Sequence, residues 1–180
     1  MKLNLKHSDN RMKQIIVKDS ALRQAAAEGI DAFVDVFVSA INDAIGGELT
    51  AETMAELNSD QITLLGYNIL HEEVMDGGFV QLIHNGYGPF FFRNPFAKAV
   101  QLWGMEDLKR LIRKAHTLYN IYREELERDC TDDEFMALFE SHPEFDELDD
   151  TFVEHEEVWT EQVATYIDDH LERFATVEAD

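Results

Sequence analysis

Seven carboxylates near the C-terminus recur at a spacing that sets them side by side. Glu147, Asp150, Glu154, Glu157, Glu161, Asp168 and Glu172 follow one another at steps of three or four residues, interrupted only at Thr165. At 3.6 residues per turn such steps stack side chains along one side of a helix. No Lys or Arg interrupts the row. A line of like charges with no nucleophile, base pair or metal-binding partner among them is suited to binding cations by charge, not to bond-making.

Catalytic constellations are missing where they would be expected. His71-Glu72-Glu73 lacks the second histidine of the H-E-x-x-H helix, and none of the seven histidines stands three residues after a glutamate, as the di-iron bundles require. Asp129, Asp132, Asp133 and Glu134 could hold calcium loosely, but their spacing is not that of an EF-hand. GGFVQLIHNGYG matches neither a phosphate loop nor a dinucleotide fingerprint. Cys130 has acidic neighbours and no histidine beside it in the chain, which reads against a nucleophile. We therefore expect a non-enzymatic protein with no cofactor and no metal.

The row belongs to the stretch Pro143–Phe174, which reads as one long helix. Phe145, Leu148, Phe152, His155, Trp159, Val163, Tyr166 or Ile167, and Leu171 or Phe174 mark its buried side. His155 is expected as a satisfied core histidine. Between Glu144 and Glu172 there are twelve acids in 29 residues. At about 1.5 Å per residue this is roughly one charge per 3.6 Å of axis, comparable to about 3.4 Å for one DNA strand.

The charge distribution isolates this third of the molecule. Of a formal net charge of -22, residues up to Arg123 contribute 15 acids against 13 bases, and residues from Glu124 onward 22 acids against Arg128 and Arg173. This excludes nonspecific binding to nucleic acid or to an anionic membrane and points to a basic protein as partner. Lys109, Arg110, Arg113 and Lys114 form a basic patch that could pair with some of the acids inside the chain. A single cysteine, no apolar leader and no membrane span fit a cytoplasmic protein.

The rest of the chain reads as helices too, so the expected fold class is all-α: one domain over residues 1–180, a multi-helix bundle with a long acidic C-terminal helix. Residues 1–28 are expected to attach loosely, with Met1–His7 short and alternating. Helices are predicted over Asp31–Ile45, over a brief segment capped by Thr50, over Asp60–Asp76 with a break at Gly77-Gly78, and over Phe79–His84. Asn94-Pro95 is read as a cap launching the next helix. A long amphipathic helix follows from Met105 to about Arg128, and Thr131 with Glu134 forms a capping box.

The segment HEEVMDGGFVQ, with Gly77, Gly78, Phe79 and Gln81, followed by Asn85 and Gly88, resembles the signature of the bacterial DNA-mimic protein family of the DMP-nineteen type. FDELDD at Phe145–Asp150 and Tyr166-Ile167 resemble its closing helix, so the likeness covers residues 60–174. Asp76 stands where asparagine is commoner, and Leu82-Ile83 where aromatics are. The resemblance implies an acidic, helical, often dimeric protein whose carboxylates replace DNA phosphates on a transcriptional regulator. Gly77, Gly78, Phe79, Gln81, Asn85, Gly88 and Trp159 are read as architectural, the glycines permitting close helix approach. Two other readings stay open: an immunity- or antitoxin-like inhibitor of a basic partner that does not bind DNA, and an enzyme of unrecognised type.

Overall fold

The computed structural model describes residues 12–180; the expectation for Met1–His7 lies outside them. Among the described residues ten α-helices make the fold all-α apart from one short ribbon. In chain order they are α1 (Asp19–Glu28), α2 (Ile30–Ile45), α3 (Ala51–Met54), α4 (Ser59–His84), α5 (Gly88–Arg93), α6 (Phe96–Leu102), α7 (Glu106–Leu126), α8 (Asp132–Ser141), α9 (Asp146–Asp169) and α10 (Leu171–Phe174).

Helix α4 is the axis of the core. It buries residues all round, among them Leu64, Leu65, Tyr67, Leu70 and Val74, as a helix must when neighbours cover every side. Those neighbours are α2, α6, α7 and α9. The Asn58 side chain caps its start by accepting from the Gln61 N–H at 2.8 Å, and Gln61 returns the contact. Thr50 and Thr131 cap α3 and α8 in the same reciprocal way. A Cβ on Gly66 would meet the rings of Phe90 and Phe96 at 2.8 and 2.9 Å, so this glycine lets the aromatic segment lie against α4. Phe91 and Phe92 are buried there, with Phe91 edge-on to Phe96 at 4.9 Å.

Gly77 and Gly78 leave helical geometry and kink α4, Gly78 at φ 73 and ψ -175. The predicted break is therefore real, and Phe79–His84 resumes as a separate helical turn.

Three expectations need correction, and one short element was not expected. Pro143–Phe174 is not one helix: Pro143–Phe145 is a 3-10 turn, α9 ends at Asp169, and His170 (φ -140, ψ 37) turns the chain into α10. The last carbonyls of a helix lack intrahelical donors; the His170 Nδ1–H supplies one to the Tyr166 carbonyl at 2.8 Å, and its ring stacks on Tyr166. Asn94 caps nothing, its amide donating back to the Pro89 carbonyl at 3.3 Å. Residues 15–28 are not loosely attached: Ile15, Val17, Leu22 and Ala25 are buried. Finally, β1 (Ile16–Lys18) pairs in parallel with β2 (Thr176–Glu178), Val17 opposite Val177, a ribbon tying the two ends of the described chain together.

Candidate partner-binding face

All seven carboxylates of the row are exposed: Glu147, Asp150, Glu154, Glu157, Glu161 and Asp168 on α9 and Glu172 on α10. At about 100° per residue, the six on α9 fall within an arc of roughly 80°, and Asp150 to Asp168 spans about 27 Å. Glu172 lies beyond the break at His170 and so continues the row on a separate element. Thr165, the gap in the row, donates its hydroxyl to the Glu161 carbonyl at 2.9 Å. Thr151 does the same toward Glu147. Two exposed valines, Val153 and Val158, flank the acids.

The opposite side of α9 holds the row in place. Phe152, Trp159, Val163 and Ile167 are buried, and Trp159 packs against Phe152 at 5.5 Å and His155 at 5.4 Å. The His155 Nδ1–H is satisfied by the Thr151 carbonyl at 2.9 Å, but the ring is half-buried at the edge of the apolar side, not in the core where the periodicity puts it. Trp159 thus sits where the periodicity places it.

No ion pair among the described residues neutralises the row. The bases of α7 turn instead to their own helix: Lys109 meets Glu106 at 3.0 Å, and Arg110 meets Glu106 and Asp107. Arg113 and Lys114 are exposed. Internal pairing of these bases with α9 is thereby corrected. Sequence separation explains it: partners three and four residues away on α7 are held closer than any on another helix.

Two of the twelve acids turn inward, which periodicity alone missed. Glu156 accepts from His71 Nε2 at 2.8 Å, beside a cleft of about 400 Å³ lined by Asp31, Asp35, Asn68, His71 and Glu72. Asp149 is half-buried and accepts the Phe79 backbone N–H at 2.8 Å. Burial pushes its carboxyl up to about 6, against the lowering effect of that N–H; Asp146 and Asp150 add repulsion in the same direction as burial. Its place one residue before Asp150, and so about 100° around the helix, was the available signal that it leaves the row.

Of the signature residues, Gly78 and Phe79 meet Asp149 at this junction. A Cβ on Gly78 would collide with the Asp149 carboxylate, so α4 and α9 approach closely there. Phe79 is fully buried. Gln81 donates to Asp76 at 2.9 Å and to Glu73 at 3.2 Å, and Asn85 donates to Glu73 at 2.8 Å. The amides thereby ballast an acidic turn around the kink. Gly88 lies against the Tyr119 ring. None of these side chains faces the acidic row. Among the described residues no His, Cys, Asp and Glu side chains gather in threes to hold a metal, and no helix is long and apolar enough to cross a membrane.

Residues 55–170 match the family model described as "DMP19-like protein". Over 127 residues the chain is 33% identical to a protein of Neisseria meningitidis serogroup B named "DNA mimic protein DMP19", an alignment that covers 70% of this chain and 77% of that relative. With its GGF kink, its acidic closing helix and these two matches, the chain belongs to the DMP19-like protein family.

Proposed function

We propose that this protein acts as a DNA mimic, presenting Glu147, Asp150, Glu154, Glu157, Glu161, Asp168 and Glu172 to the basic surface with which a DNA-binding protein, such as a transcriptional regulator, grips phosphates. The observation that carries the reading is the exposed acidic row on α9, unpaired within the described chain and backed by a buried apolar side. The printed name of the similar Neisseria protein supports it.

The physics is that of replacement. Lys and Arg side chains that neutralise phosphates meet carboxylates at a comparable linear density. Because the carboxylates sit on a packed helix, little ordering entropy is lost when the partner binds. Exposed Val153 and Val158 add apolar contact that a phosphate backbone lacks. A DNA-binding partner places the action in the bacterial cytoplasm. A homodimer would set two such rows on one assembly, which sedimentation of the purified protein reads directly.

The test is capture from bacterial extract on the immobilised protein, followed by elution with duplex DNA at constant ionic strength. The reading expects a DNA-binding protein to leave with the duplex. A captured partner that holds this protein and duplex DNA at once contradicts it.

A further inference from the structure

The fold brings to Cys130 the histidine that its neighbours in the chain do not provide. Cys130, in the connection between α7 and α8, places its Sγ 3.8 Å from the Nε2 of His84, the last residue of α4. The other ring nitrogen of His84, Nδ1, lies 2.9 Å from the Leu126 carbonyl oxygen. A carbonyl can only accept, so Nδ1 carries a proton and the neutral ring presents a lone pair at Nε2. Among the described residues, the donor facing that lone pair is the Cys130 S–H. Phe135 of α8 lies against the imidazole at 4.9 Å and limits its rotation. A nucleophile, a base within reach and a third group that fixes the base's tautomer are thus assembled from three separate elements.

We propose that Cys130 and His84 form a thiol–imidazole pair that makes Cys130 a site of covalent modification by soft carbon electrophiles of the α,β-unsaturated carbonyl class. In the reaction the sulfur forms a bond to the β-carbon, and the C=C π pair moves toward the carbonyl. The thiol proton passes to His84 Nε2 and from there to the α-carbon. Nothing is oxidised or reduced, and no group leaves. The imidazolium formed in passing sits at the C-terminal end of α4, where the helix dipole favours positive charge. Cys130 is half-buried, in a connection between helices and not in the core. The adduct would stand beside Phe135 and the acidic first turn of α8, Asp132, Asp133 and Glu134. The proposal does not rest on DNA mimicry.

The probe is N-ethylmaleimide, with adduct formation at pH 7 followed by intact-protein mass and Cys130→Ser as the unreactive control. Wild type is expected to react faster than His84→Gln by on the order of a hundredfold, the low side of general-base contributions. Loosening of the connection in His84→Gln would expose the sulfur and raise its rate, so a slower variant cannot be explained by damage to the fold. A second arm needs no substitution: the rate is compared between the native chain and the same chain unfolded in urea. An ordinary half-buried cysteine speeds up on unfolding, whereas Cys130 should slow down. Equal or faster reaction of His84→Gln, or faster reaction of the unfolded chain, overturns the assignment.

Discussion

At the scale of single residues, Asp149 holds two helices together while its charge is pulled in opposite directions. Burial opposes the carboxylate, the Phe79 N–H favours it, and burial prevails, leaving the group at about 6 instead of 3.8. The folded state therefore binds this proton more tightly than the unfolded chain does. The stability it contributes is complete below about pH 3.8 and is lost as pH rises to about 6. Asp149→Asn keeps an oxygen for the Phe79 N–H and removes the titration. Its melting temperature relative to wild type should rise between about pH 4 and pH 6 and then level off; a difference independent of pH across that window contradicts the assignment. Gly78 faces the same carboxylate in a backbone region open essentially to glycine alone. Gly78→Ala should lose about 1–3 kcal/mol from the backbone, with further loss from the clash, read by urea denaturation.

At the scale of elements, α9 divides an exposed acidic side, the proposed binding face, from a buried apolar side that packs on the fold. Neutralising Asp150, Glu154, Glu157 and Glu161 together, as Asn and Gln, removes like-charge pairs three and four residues apart. Each pair is worth about 0.2–0.5 kcal/mol of repulsion, so the melting temperature should stay or rise slightly while partner affinity falls. A loss of helical content in circular dichroism would count against this face as a free surface. Trp159→Ala acts on the other side. With the ring 3% exposed, about 3–5 kcal/mol should be lost, measured by chemical denaturation. Much of this was legible in the sequence: the 3.6-residue period placed Phe152, Trp159, Val163 and Ile167 inside and the acids outside, and the reciprocal caps at Thr131 and the break at Gly77-Gly78 are local chemistry. What local patterns do not carry was missed. The end of α9 depends on the His170 ring reaching back to Tyr166. The β1–β2 ribbon joins segments about 160 positions apart in three-residue strands too short to show a period. The inward turn of Asp149 and the meeting of His84 with Cys130 likewise exist only once α4, α7 and α9 are packed.

At the scale of the whole molecule, the asymmetry of charge is the organising fact. The chain up to Arg123 is nearly neutral and supplies the scaffold, including the α4 axis, the aromatic segment against Gly66 and the GGF kink. The last third supplies almost all of the net charge of -22, and α9, packed on this scaffold by its apolar side, carries ten of its acids and no Lys or Arg. Recognition by such a surface is long-ranged and screened by salt, the Debye length shrinking from about 10 Å at 0.1 M to about 3 Å at 1 M. Partner affinity should accordingly fall steeply over that range in a salt titration. The central claim is that the α9 row occupies the place of DNA on its partner, and fluorescence anisotropy of a labelled duplex bound to the captured partner tests it most directly. Adding wild-type protein should return the anisotropy to that of free duplex, and the variant neutralised at Asp150, Glu154, Glu157 and Glu161 should need a concentration at least about tenfold higher, a loss of about 1.4 kcal/mol. Anisotropy that rises on addition, reporting a ternary complex, or equal displacement by the two proteins would contradict the account.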